Sequence, residues 1–266
     1  MAPPVLWQYN FWNFNEKVRW ALDYKGVGHT RRSLLPNTPR AMLFSLRGTL
    51  PVLDLDGQRI VDSTRIIEAL ERQYPQPTLY PTDPDERRRG LELEDFFDEH
   101  LGHEIRRALF YEQRRNLAYL SALLTTGRNP MTRGIYLALM SVPGSTTYQT
   151  RRYRFYGPDA ERARTNVAAG LDRIVAELQP SGYLVGSRFT VADLSAAALL
   201  FMLAQPTELQ YNYPEPPKSE LIESFADHPG VDWIRETYRR HRGSSMAISS
   251  PHGPRRIEQR LRGCGS

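Results

Sequence analysis

Leu50-Pro51-Val52-Leu53-Asp54-Leu55-Asp56-Gly57-Gln58-Arg59-Ile60-Val61-Asp62-Ser63 is the stretch that decides the fold. Asp56-Gly57 between two apolar runs is the strongest short-range sign of a β-hairpin. Asp62 and Ser63 then cap a helix whose Ile66, Ile67, Leu70 and Tyr74 fall on one stripe. Toward the N-terminus, Arg40–Leu46 reads as a short helix closed by Gly48, and His29–Leu35 as a strand ended by Pro36. Lys17–Lys25 carries Val18, Ala21 and Leu22 on one helical face and stops at Gly26. Asn13 and Glu16 before it have the spacing of a capping box. Val5–Tyr9 is a first strand. The predicted order is β-α-β-α-β-β-α.

Downstream, Pro75, Pro77, Pro81 and Pro84 crowd into a linker, after which the pattern turns helical. Asp85–Leu109 is long, charged and periodic. Asp159–Leu178 carries Val167, Leu171, Ile174, Val175 and Leu178 on one stripe. Thr190-Val191-Ala192-Asp193 is a second capping box leading into a helix apolar enough to be buried. Residues 205–220 form a Pro-rich loop and Val231–Arg242 a last helix. The chain divides into a small α/β unit (1–76), a linker (77–84), an all-α unit (85–242) and a basic tail (243–266) expected to be disordered.

Composition narrows the class without choosing a function. The chain has 266 residues, 40% hydrophobic, enough for one large or two ordinary domains. There is no apolar run long enough to span a membrane and no basic-then-apolar leader, so a cytoplasmic protein is expected. Cys264 is the lone cysteine, which leaves no disulfide framework, Cys-based zinc site or CxxC pair. Net charge is +5, with four Arg and one Glu in 243–266, so a nucleic-acid groove is not expected.

Glu16-Lys17-Val18-Arg19-Trp20-Ala21-Leu22, Leu50-Pro51-Val52-Leu53, Asp62-Ser63 and Thr190-Val191-Ala192-Asp193, in that order, resemble the cytosolic glutathione transferase family over nearly all of residues 5–242. The resemblance implies a thioredoxin-like N-terminal domain, an all-α C-terminal domain, a homodimer, and glutathione as co-substrate with a small-molecule electrophile. It further implies that Ser63 and the helix amides take the γ-glutamyl carboxylate while Asp62 faces its amine. Leu50, before a cis-Pro51, would pair with the cysteinyl backbone. Thr49 stands where the family often has Lys or Gln, and Arg40 is a substitute for holding the glycyl carboxylate.

A glutathione transferase must hold the sulfur as thiolate, which needs donors or a positive dipole nearby. The family's Ser or Cys falls about where Trp12 stands, and related members carry Cys where Asn15 stands. This chain has neither. Tyr9, Asn13 and Asn15 are the candidate sulfur donors, with backbone amides alone as the remaining choice. With no thiol in the matched region, mixed-disulfide chemistry is not expected. Conjugation to an apolar electrophile, peroxidation without a protein thiol, or ligand binding without turnover stay open. Phe11, Trp12, Phe14, Phe110 and Tyr111 are candidate walls of an apolar co-substrate pocket.

Two further clusters are set aside. Glu99, His100, His103 and Glu104 lie within one or two helical turns, but a charged face explains them better than a metal site. Arg151-Arg152-Tyr153-Arg154-Phe155-Tyr156 interleaves basic and aromatic residues, yet sits in a nearly neutral body.

Overall fold

A computed structural model describes residues 2–36, 38–44, 49–144 and 157–248. The Arg151–Tyr156 stretch, Leu46, Gly48, Cys264 and the chain from residue 249 lie outside the described residues.

Strands β1 (Val5–Gln8), β2 (Thr30–Ser33), β3 (Val52–Leu55) and β4 (Gln58–Val61) form a four-stranded sheet in the order β2-β1-β3-β4. β1 is parallel to β2 and antiparallel to β3. Helices α1 (Asn13–Tyr24), α2 (Pro39–Phe44) and α3 (Ser63–Gln73) complete the unit, in the order the sequence predicts. The hairpin turn explains itself: Asp56 (φ 48°) and Gly57 (φ 80°) are both left-handed, as a type I′ turn demands.

The helical unit comprises α4 (Pro84–His100), α5 (Glu104–Glu112), α6 (Leu117–Leu124), α7 (Pro130–Met140), α8 (Gly157–Glu177), α9 (Val191–Leu199), α10 (Phe201–Ala204), α11 (Glu220–Ser224) and α12 (Pro229–His241). Every residue of α9 is buried. The expected box fixes its start: the Asp193 carboxylate accepts from the Thr190 and Leu184 amides, both at 2.8 Å. α9 packs against α1 and α4, so one apolar core runs through both units. The long helix expected from Asp85 is broken at Leu101–His103. There the Phe14 ring lies so close to Gly102 that a Cβ would collide with it.

Two expectations are corrected. Asn13 and Glu16 form no capping box: Trp12 is the N-cap, with no side-chain cap bond. Glu16 is instead fully buried and paired with Arg19 (2.7 Å) and Arg242 (2.7 Å). The Pro-rich linker is held to its neighbours by hydrogen bonds. Lys25 Nζ donates to the carbonyls of Tyr74 (2.8 Å) and Pro77 (3.0 Å), and the Glu71 carboxylate accepts the Leu79 amide (3.2 Å). The tail is ordered over its first residues. Ala247 bridges to His29, and the Ile248 amide donates to the His29 carbonyl at 2.8 Å. An edge strand with unpaired backbone groups attracts such pairing.

Candidate functional site

Four pieces of chain meet where the expected site lies: the end of β1, the start of α1, Leu50-Pro51 and the start of α3. A buried polar network fixes the loop between β1 and α1 from behind. Arg19 donates to Gln8 Oε1 (2.9 Å) and to the Asn10 carbonyl (3.1 Å), which also accepts from Tyr213 Oη (2.7 Å). Asn10 Nδ2 reaches the Thr126 carbonyl at 2.7 Å. Burial alone would raise the Glu16 carboxyl, but Arg242 and Arg19 outweigh it and hold the group below its ordinary value.

The Leu50-Pro51 bond is cis. Asn15 ties it to β1, accepting the Tyr9 amide (3.3 Å) and donating to the Leu50 carbonyl (3.5 Å). At α3, Asp62 is the N-cap, its carboxylate accepting from the Thr64 (3.0 Å) and Arg65 (3.3 Å) amides. Asp62 is held at φ 85°, ψ 133°, a strained conformation for a residue with a Cβ, and such strain gathers at ligand sites. Ser63 is buried at the first turn, and among the described residues its hydroxyl makes no hydrogen bond. Behind them, Thr64 Oγ1 donates to Asp98 (3.0 Å) and Glu94 (3.2 Å), and Lys17 Nζ bonds both carboxylates at 2.7 and 2.8 Å.

Asn13 does not fit the role of sulfur donor. It is fully buried, and both of its amide hydrogens are spent on distant carbonyls, Gly102 (2.8 Å) and Leu199 (3.0 Å). It locks α1 to the helical unit. Asn15 is also fully buried, with the scaffold bonds just given. Tyr9 is buried with its ring beside Phe11 and Trp12, centroids 6.3 and 5.8 Å away. Thr49 is exposed, as is Arg40 on α2.

Sequence reasoning missed Arg106. Its guanidinium carbon stands 3.8 Å from the centroid of the Trp12 ring and 5.4 Å from that of Phe14, on a residue only 5% exposed. A fixed cation is therefore stacked on Trp12, the residue that the resemblance sets at the thiol-activating position, beside the positive end of α1. Arg106 Nη2 also donates to His103 Nδ1 at 2.6 Å, which keeps that nitrogen unprotonated. Partial burial and the charges of Arg106 and Arg107 push the imidazole down to about 4, although its edge remains open to solvent. Such a base binds its proton in the unfolded chain below about 6.5 but in the folded one only below about 4. His103 therefore favours folding above that window and opposes it increasingly as pH falls through it. A nuclear magnetic resonance titration should find His103 neutral at pH 5, and Arg106→Met should raise its midpoint.

The set-aside acidic and histidine cluster does not converge. Glu104 pairs with Arg107, His103 with Arg106, and His100 packs on Phe96. Among the described residues no group of His, Cys, Asp and Glu side chains is placed to hold a metal ion.

A model of the glutathione S-transferase N-terminal domain matches residues 6–78, and one of the C-terminal domain matches residues 158–233. The chain belongs to the glutathione S-transferase family. It is 36% identical over 90 residues to a maleylpyruvate isomerase of a Ralstonia species, covering 30% of this chain and 42% of that relative's length. It is 28% identical over 232 residues to a probable maleylacetoacetate isomerase of Caenorhabditis elegans, covering 85% of this chain and 90% of the relative. Among solved structures it shares its fold with a glutathione S-transferase of Methylobacterium radiotolerans in complex with glutathione sulfonate. That match has a TM-score of 0.59 at 20% identity, over 94% of this chain and 99% of the other.

In this member of the family, a cavity of about 280 Å³ opens between α5, α6, α10 and the segment 205–219. Of the five aromatic residues expected to wall a pocket, Phe110 alone lines it. Phe11 is fully buried, edge-on to Trp12 and Phe110, and Phe14 lies on Gly102 and His103. Tyr111 lies under Arg114 instead. The walls that sequence reasoning missed include Leu120, Phe201, Tyr211 and Tyr213, which distant parts of the chain bring together. Among the described residues no helix is long and apolar enough to cross a membrane.

Proposed function

We propose that the protein is a glutathione-dependent enzyme whose bound thiolate attacks the electrophilic carbon of an apolar small molecule. The observation that carries this reading is Arg106 stacked on Trp12 at the start of α1. A desolvated guanidinium beside a helix N-terminus lowers the pKa of a thiol held there, which supplies what the missing Ser or Cys would otherwise provide. In the transfer the sulfur lone pair forms the new C–S bond, the thiol proton passes to solvent, and the leaving group departs with its bonding pair.

The chain's own residues have separable tasks. Ser63, with its hydroxyl and its own backbone amide, suits the γ-glutamyl carboxylate, and Asp62, whose carboxylate caps the Thr64 and Arg65 amides, faces the amine beside it. Leu50 offers its backbone to the cysteinyl residue in the manner of an added strand. The cavity bordered by Phe110 suits an apolar co-substrate. The names of the two relatives favour a second reading at the same site. A thiolate that adds to a conjugated cis double bond and is then expelled leaves the trans isomer, and Arg106 would meet the carboxylate of such an acid.

The two readings separate by assay. An activated aryl halide reports conjugation, and a cis-unsaturated dicarboxylic acid reports isomerisation. Turnover of neither, with glutathione still bound, would favour a ligand-binding role. Ser63→Ala is expected to weaken glutathione binding by about 1.5–3 kcal/mol, the worth of a hydrogen bond to a charged group. Its thermal midpoint should stay within a few degrees of wild type. Calorimetric titration checks the first, and a fall in stability alone would make Ser63 a cap and nothing more.

A further inference from the structure

The cavity between α5, α6, α10 and the segment 205–219 is walled by the rings of Phe110, Tyr119, Phe201, Tyr211 and Tyr213. Much of its polar lining is already bonded elsewhere. Tyr211 Oη accepts from Gln8 Nε2 and Tyr213 Oη donates to the Asn10 carbonyl, each at 2.7 Å. The Ser219 hydroxyl donates to Glu112 at 2.6 Å. Gln113, the C-cap of α5, is different. It lines the cavity, is only 8% exposed, and among the described residues its carboxamide makes no hydrogen bond. Buried amides are ordinarily paired, so an unpaired one at a cavity marks where a polar group of a ligand belongs. The half-buried Tyr119 hydroxyl makes no hydrogen bond among the described residues either. Burial alone pushes it up to about 12, so it stays a neutral donor. Among the described residues no Lys, Arg or His lines the cavity, and the one acid there, Glu215, is exposed. Arg106, Phe110 and Gln113 follow at spacings of four and three, so the cavity adjoins the cation stacked on Trp12.

We propose that this cavity takes an uncharged aromatic co-substrate bearing a carboxamide or an equivalent donor–acceptor pair, selected by Gln113 and Tyr119. The proposal rests on the glutathione-dependent reading only for the reaction that follows binding. The Gln113 carboxamide offers both donors and an acceptor, so a second carboxamide pairs with it through two opposed N–H···O bonds. The rings receive a planar molecule. A volume of about 280 Å³ lies near the lower end of ligand pockets, which suits one or two rings. A wholly apolar ligand would leave Gln113 unpaired and cut off from water. A carboxylate fits less well still. It would lose its hydration without gaining a cation, because Arg19, which lies over the Tyr211 ring at 5.0 Å, has its charge met by buried Glu16. The lining therefore disfavours a dicarboxylic acid in this space.

The test is calorimetric titration of the full chain, without glutathione, with three probes that differ only in the group opposite an activated chlorine: a chloronitrobenzamide, the matching chloronitrobenzoate and the matching chloronitrobenzene. The benzamide should bind about tenfold or more tighter than either of the others. Gln113→Leu should lower benzamide affinity about tenfold and erase its advantage over the amide-free ring. Its thermal midpoint should be unchanged or raised, because a buried amide without a partner gives way to an apolar group. Tyr119→Phe, which keeps the ring, should lower benzamide affinity several-fold and tests the site should the first variant not fold. Benzoate binding as tight as benzamide binding, or a preference for the amide retained in both variants, would overturn the proposal. Adding glutathione separates this from the reading beneath it. There the thiolate forms the new C–S bond, chloride departs with its bonding pair, and the thiol proton passes to solvent. Chloride release with no preference for the amide in binding overturns this proposal alone. A clear preference with no chloride released keeps the site and its ligand class and overturns the transfer reading.

Discussion

Lys17→Met is expected to destabilise the protein by about 3–5 kcal/mol, the cost of removing one member of a buried ion pair. Lys17 is wholly buried and bonds both Asp98 and Glu94, so it clamps α1 of the sheet unit to α4 of the helical unit. Burial disfavours its ammonium, but the two carboxylates outweigh that and raise its pKa above the ordinary value. Burial also raises the Glu94 carboxyl, more than Lys17 lowers it. Without the lysine the buried Glu94 carboxylate would face the partly buried Asp98 carboxylate with only Thr64 between them. The loss corresponds to roughly 10 °C in thermal midpoint for a chain of this size. Chemical denaturation checks it. A loss below about 1 kcal/mol would mean that water replaces the ammonium freely.

The second large effect falls on turnover. Arg106→Met should lower kcat by about 10²–10³, the range seen when one fixed donor or charge is withdrawn from a developing anion. Glutathione affinity should change little, because the residues suited to its carboxylates and backbone lie at α3 and Leu50. Steady-state kinetics with saturating glutathione separates the two quantities. An unchanged kcat would leave the α1 amides as the activating group. Arg106→Lys should recover only part of the loss, since a compact ammonium cannot stack on Trp12 as a planar guanidinium does.

The parts of this molecule legible in its sequence are the locally determined ones. Asp56-Gly57 dictates its turn through backbone conformation, Thr190–Asp193 closes its box within four residues, and the stripe Ile66, Ile67, Leu70 repeats at helical spacing. The site was harder to read because its decisive contacts join distant segments. Asn13 looks like a cap until Gly102 and Leu199 arrive to occupy its amide. Arg106 meets Trp12 only after α5 folds across the start of α1. One signal was available: His103, Arg106 and Phe110 follow at spacings of three and four, hence on one helical face. The docking of residues 246–248 beside His29 is equally non-local, since it depends on an open sheet edge.

On the proposed reading glutathione binds with its sulfur at the start of α1 and is ionised there by Arg106. Ultraviolet difference spectroscopy of the thiolate, with glutathione bound and pH varied, tests it most directly. The bound thiol is expected to titrate well below about 8.5, the value of an unperturbed thiol, and to return toward that value in Arg106→Met. A bound thiol that titrates at or above the unperturbed value in the wild-type protein would contradict it.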